Sequence, residues 1–322
     1  MLKKLEIKNF KSIKDLRAEC KRINIFIGEP NTGKSNILET FGLLSFGRFY
    51  EPIKNYVRFE NLSNLFYDDN LEETVFIKAD DVTLEIKYEK GMYRGSCTEK
   101  EKVLYSFDFD YTGGGNTAHN WNPPYKYYKF TIRNTFPKKE VEFLLPPFGD
   151  NLLAVVRTHK EINNIISEIL EPFGLKLVLR PYEDRIEISK LPEKILILYP
   201  YSLLSETLQR IIFFLTAIYS NKESVISFEE PEAHSFPYYT KYLDEQPALD
   251  TNNNQYFIST HNPYSLLSIL EMSPNDEIAV FITHLKDYQT KVKSLGKKEL
   301  GEIMDLGIDL FFNIERYLGT LK

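Results

Sequence analysis

Gly28-Glu29-Pro30-Asn31-Thr32-Gly33-Lys34-Ser35 has the spacing G-x-x-x-x-G-K-[ST], and residues of these types suit the holding of phosphate groups. Gly28 and Gly33 permit a backbone turn that brings consecutive N–H groups toward one point. The free amides of a following helix add partial positive charge there. Lys34 is placed to reach the β- and γ-phosphates and the Ser35 hydroxyl to bind Mg²⁺, while Asn31, Thr32 and Asn36 complete the candidate binding set. A nucleoside triphosphate with Mg²⁺ is the expected ligand. The plainer reading is a glycine turn ahead of a helix capped by serine.

Two further clusters follow short apolar runs. Val225-Ile226-Ser227-Phe228 leads into Glu229-Glu230-Pro231-Glu232-Ala233-His234. Glu229 suits a metal contact made through water, and Glu230 suits a general base that polarises the attacking water. The alternative is a solvated acidic turn before proline. Downstream of Gln255–Ile258, the segment Ser259-Thr260-His261-Asn262-Pro263 offers His261 as a hydrogen-bond donor to the γ-phosphate or to that water.

Active residues at three strand ends require a sheet that delivers them to one edge. Ile23–Ile27 reads as the strand before the loop, and Ser35 to about Leu44 as the helix after it. Past Pro192, strands at 195–199, 224–228, 255–259 and 277–283 alternate with helices at 205–220, 238–242 and 263–270. That alternation predicts an α/β fold of the P-loop NTPase kind, with a mostly parallel sheet covered by helices on both faces. The closing segment 298–318 reads as two short helices broken near Gly307.

Between the two halves the pattern changes to period-two alternation, in runs at 75–78, 82–88, 103–109, 126–132 and 141–145. A helix at 151–171 and a hairpin at 175–188 follow. The expected organisation is a discontinuous domain, 1–75 and 195–322, with 76–194 inserted as an antiparallel β-rich lobe carrying one helix. That helix is too short for a long coiled-coil arm.

The chain has 322 residues, 21 Tyr, 23 Phe, a single Trp and a net charge of −6. The apolar runs are too short for a membrane span, and Met1–Glu6 lacks the apolar core of a signal peptide, so a cytoplasmic protein with no membrane partner is expected. Cys20 and Cys97 form neither a C-x-x-C motif nor a zinc site and read as free thiols. Asn221-Lys222-Glu223-Ser224 falls short of the guanine-reading N-K-x-D, which disfavours GTP.

The order of motifs resembles the ABC-type, AAA-family P-loop ATPases of the SMC, RecF and OLD group. The matching pieces are the opening Leu2 to Ser12, Gly28–Ser35, Leu203-Leu204-Ser205-Glu206-Thr207-Leu208-Gln209-Arg210, Glu229–His234 and Ser259–Pro263. The resemblance implies an ATP-hydrolysing head that closes on a second head when ATP binds. Ser205 would be the signature serine contacting the γ-phosphate held by the other copy. Where the family has glycine after that serine, Glu206 and Thr207 stand here. Glu229 replaces the usual aspartate, and no glutamine lies between Phe49 and Asn70, leaving Asn61 or Asn64 as substitutes for the Q-loop. No room remains for a fused Toprim nuclease, so an effector, nuclease-like or otherwise, is expected to be a separate protein. The alternative function is a nucleotide-gated scaffold with negligible turnover. DNA is an open partner class, motivated by the family and by the basic runs Lys3–Lys14 and Lys286–Lys298.

Overall fold

The computed structural model describes residues 1–46, 51–119, 121–274, 276–306, 311 and 313–319. The chain opens with an antiparallel hairpin, β1 (Lys4–Phe10) and β2 (Ile13–Glu19), followed by β3 (Ile23–Ile27), which is buried along its whole length. The glycine loop and helix α1 (Lys34–Phe46) come next. A meander then runs through β4 (Val75–Ala79), β5 (Val82–Glu89), β6 (Met92–Glu99), β7 (Lys102–Phe109) and β8 (Gly115–His119).

These strands form a 7-stranded sheet in the order β2-β1-β4-β5-β6-β7-β8, antiparallel throughout. A 6-stranded sheet has the order β16-β15-β3-β14-β13-β9. Its members are β9 (Tyr125–Tyr128), β13 (Val225–Glu229), β14 (Gln255–Ser259), β15 (Ile278–Lys286) and β16 (Gln289–Ser294), with β3 near the centre. Strands β15, β3, β14 and β13 run parallel in succession, and β16 closes antiparallel on β15. Parallel order thus surrounds the strand that carries the loop, while the larger sheet is wholly antiparallel. The fold is mixed α/β, with parallel pairing among the four strands β15, β3, β14 and β13 and antiparallel pairing in the 7-stranded sheet.

The chain divides into two compact units, and the division differs from the expected insertion of 76–194. One unit holds Met1–Tyr127, Ser224–Glu230 and Gln255–Lys322; the other holds Tyr128–Glu223 and Pro231–Asn254. The reason is strand pairing. Strand β4 hydrogen-bonds to β1, with Leu5 opposite Ala79 and Ile7 opposite Ile77, so the meander extends the N-terminal hairpin. Within this unit, α1 packs on β13 and β14, and the Phe41 ring lies 4.3 Å from that of Phe257. The Tyr105 hydroxyl donates to the Leu43 carbonyl at 2.7 Å, tying β7 to the last turn of α1.

The second unit contains α2 (Leu152–Thr158), α3 (Lys160–Leu170), β10 (Lys176–Arg180), β11 (Arg185–Lys190), β12 (Ile197–Pro200), α4 (Glu206–Ser220) and α5 (Pro237–Leu249). The single helix expected over 151–171 is two, because His159 leaves the helical region at φ −96 and ψ 100. The strand expected at 141–145 does not form. Buried Asn151 supplies the partners a neighbouring strand would: its amide donates to Glu140 O and Phe143 O, and its carbonyl oxygen accepts from Leu145 N. The chain closes in the first unit with α6 (Pro263–Met272), α7 (Lys297–Leu306) and α8 (Ile314–Leu318). The break expected at Gly307 lies outside the described residues.

Phe41 is fully buried between α1 and the sheet. Phe41→Ala should cost about 3–5 kcal/mol of stability, and Phe41→Leu markedly less, read as the fall in urea midpoint.

Candidate functional site

The loop leaves β3 at Gly28 with φ 149, passes Asn31 at φ 63 and reaches Gly33 at φ 95, after which α1 begins. The residue types match that path, since glycine and asparagine tolerate the left-handed region. The back of the loop is pressed against the β15–β16 hairpin. A Cβ on Gly28 would sit 2.3 Å from the Thr283 carbonyl oxygen, and one on Gly33 would sit 2.1 Å from Thr290 Oγ1. Both glycines are therefore required by packing as well as by the phosphate approach expected from the sequence.

Hydroxyls fasten this contact. Thr32 Oγ1 donates to Glu29 O at 2.8 Å and lies 2.8 Å from Thr283 Oγ1. Thr290 Oγ1 donates to Thr32 O at 2.9 Å and meets Ser12 Oγ at 2.7 Å, and Asn36 Nδ2 donates to the same Ser12 oxygen at 2.7 Å. Asn36 thus serves to anchor the loop to the β1–β2 turn. Ser12, Thr283 and Thr290 carry no motif signal of their own, apart from the place of Ser12 in the opening segment.

Lys34 is buried, and its ammonium donates to Gly28 O and Glu29 O, each at 2.8 Å. Burial pushes its pKa down to about 8, against the upward pull of Glu230, Glu229 and Glu29. Ser35 sits half-buried in the first turn of α1.

Strands β13 and β14 bring the other groups beside the loop. Glu229 ends β13 in register with Ser259 of β14, while Thr260 N donates to Phe26 O at 3.1 Å and so aligns the end of β14 with β3. Glu230 turns out of the strand at φ 45, a strained position for a residue with a Cβ, and its N–H donates to Ser259 O at 3.1 Å. His261 Nε2 lies 2.8 Å from Glu230 Oε1, and the Gly28 backbone stands close to the imidazole. Burial and the Lys34 charge hold its pKa below the usual histidine value, which favours a neutral ring at neutral pH. Gly28, Lys34, Glu230 and His261 thus form one cluster.

Several members of the site carry no separate sequence signal. Arg58 Nε lies 2.6 Å from Glu39 Oε1, and its Nη2 is 3.6 Å from Glu229 Oε1. Glu39 is a fully buried carboxylate of α1, paired also with Lys11. The Tyr127 hydroxyl donates to Glu229 Oε2 at 3.3 Å. Arg58 lies in the stretch searched for a glutamine, whereas the substitutes named from the sequence are occupied elsewhere. The Asn61 side chain accepts from Ser63 N, and Asn64 Oδ1 accepts from Asn61 N, forming a capping box.

In the second unit, Ser205 is the N-cap of α4, accepting from Leu208 N at 3.4 Å. The Glu206 carboxylate, whose charge would oppose a triphosphate, is paired with Arg210 at 2.9 Å, and Thr207 Oγ1 donates to His234 O at 2.9 Å.

The residues fit a magnesium nucleotide. The loop conformation is closed to side chains at both glycines, and the buried Ser259 Oγ, beside Glu229, has no hydrogen-bond partner among the described residues. No cluster of His, Cys, Asp and Glu among the described residues could cage a metal.

The AAA ATPase domain family matches residues 1–144, which include the loop, α1 and Arg58. This part of the chain is similar to that family. The fold of the chain is similar to an SMC head bound to the C-winged helix domain of ScpA, with TM-score 0.54, 15% identity and coverage of 92% of this chain and 98% of that one. It is also similar to the Smc head with an extended coiled coil bound to the C-terminal domain of ScpA derived from Pyrococcus furiosus, with TM-score 0.52, 14% identity and coverage of 95% and 98%. At these identities the likeness shows the fold alone. No curated protein matches the chain.

A Lys34 pKa of about 8 sets the sign of a pH effect. As pH rises through that value the ammonium is lost and with it the attraction to phosphate, so ATP affinity should fall roughly tenfold between about pH 7 and about pH 9. Lys34→Arg, which keeps its charge, should bind with a flat profile over that range in a titration calorimeter.

Proposed function

We propose that the chain binds ATP on the Gly28–Ser35 loop and hydrolyses it. The observation that carries this reading is the junction of Glu230 and His261 at 2.8 Å, with the imidazole close to the loop at Gly28. Asn31, Thr32, Gly33 and Asn36 shape the cradle, and Lys34 exchanges its loop carbonyls for phosphate oxygens. Ser35 and Glu229 hold Mg²⁺, which supplies Lewis-acid polarisation of the phosphates. Glu230 takes the proton of the attacking water as general base. A neutral His261 uses its single N–H, at Nε2 beside the Glu230 carboxylate, to fix the direction of that base, and the ring stands close to the loop where the γ-phosphate is expected.

The same proposal makes ATP a bond between two copies. Ser205 and the free amides of α4 offer an anion site to the triphosphate on another copy's loop. The Glu206–Arg210 pair supports this by offsetting the carboxylate charge at that helix end. A separate effector protein, nuclease-like or otherwise, would read the open and closed states. Each SMC head cited above was solved with a ScpA domain, which supports partner binding at such a head. Direct DNA contact has weaker support, because Lys8, Lys11 and Lys293 within the two basic runs are already paired with Glu6, Glu39 and Glu299. Among the described residues no helix is long and apolar enough to cross a membrane.

Glu230→Gln keeps the shape and removes the base. Its steady-state ATPase rate should fall by roughly 100-fold or more with ATP binding retained. Equal rates in wild type and variant, with binding intact, would instead favour the nucleotide-gated scaffold.

A further inference from the structure

We propose that strand β12 pairs antiparallel with β12 of a second copy of this chain, giving a dimer that forms without nucleotide. The contact goes beyond the ATP reading and does not rest on it. β12 is an edge of the 3-stranded antiparallel sheet β10-β11-β12, and among the described residues its outer backbone groups pair with no other strand. Natural edge strands are blunted by charge, proline or a bulge. Here Ile195 to Ser205 carries no charged side chain, the β11–β12 register is regular, and proline stands only at the last position of the strand, Pro200.

The side chains are apolar on both faces. Tyr199 opposes Ile188 and Leu198 opposes Ser189, so Ile197 lies on the Tyr199 face and Leu198 on the other, with Ile195 and Leu196 just ahead of the strand. Leu191, Ile195 and Leu196 are 65%, 64% and 62% exposed, Leu203 is 73%, and Ile197 and Leu198 are 37% each. Together they present roughly 600 Å² of apolar surface, at the upper end of what a soluble monomer leaves uncovered. Doubled across a two-fold contact this gives roughly 1,200 Å², the lower bound of a stable interface.

The committed occupant is a second copy because the segment is its own complement. A two-fold axis perpendicular to the sheet, through Ile197 or Leu198, sets each face against the same face of the other strand and joins the two sheets into one. The segment offers no charge by which a foreign peptide could be selected. A standing dimer would also serve the proposed ATP closure, because it would raise the mutual concentration of two heads to roughly millimolar.

Sedimentation velocity on the full chain without nucleotide tests this. Wild type should be a dimer, and Leu196→Lys with Leu198→Lys should raise its dissociation constant roughly 100-fold or more, with circular dichroism and Mg-ATP binding unchanged. Both sites are exposed, so the fold should tolerate lysine. As a second readout, Leu198→Cys should form an intermolecular disulfide under mild oxidation, which wild type, with Cys97 buried and Cys20 half-buried, should not. A wild type that is monomeric without nucleotide, one that dimerises only with ATP, or a dimer insensitive to the two lysines would overturn the proposal.

Discussion

The site depends on the tight seat of the Gly28–Gly33 loop against the β15–β16 hairpin. Thr283 and Thr290 stand where Cβ atoms at the two glycines would be, and the Ser12–Thr290–Asn36 contacts lock the same corner to the β1–β2 turn. A loop held from behind presents its amides forward without paying for order when a ligand arrives. Strands β15, β3, β14 and β13 fix where Lys34, Glu229 and His261 begin, because their ends are set by parallel pairing in register.

Charge is balanced around this seat by groups that the motifs do not name. Buried Glu39 is neutralised by Lys11 and Arg58, and Arg58 reaches on to Glu229, which also accepts from Tyr127. An unpaired carboxylate inside α1 would be costly, so Lys11 and Arg58 are structural necessities as well as neighbours of the site. Glu229 is thereby oriented from two sides, which compensates for the extra methylene it carries relative to aspartate.

The parts of this arrangement legible in the sequence are local. Spacing gave the loop, apolar runs gave β3, β13 and β14, and the turn residues after them gave Glu229, Glu230 and His261. What escaped depends on contacts distant in sequence. Strand β6 contains Gly95 and Ser96 and looks too weak for a strand; Gly95 is there because a Cβ would strike the Phe107 ring of β7 at 2.1 Å. Strand β16 is polar on most positions and is defined by its pairing to β15. The division of the chain followed the β1–β4 ladder, which no composition shift announces. Arg58 had no signal because its partners, Glu39 and Glu229, come from a helix before it and a strand far after it.

The most direct test of the central claim is a crystal structure with Mg²⁺ and a non-hydrolysable ATP analogue. The γ-phosphate is predicted to lie between Lys34 and His261, with Lys34 Nζ released from the carbonyls of Gly28 and Glu29, the metal on Ser35 and Glu229, and Glu230 facing the γ-phosphorus. A nucleotide bound away from the loop, or a triphosphate whose γ-phosphate is remote from both Glu230 and His261, would contradict the account.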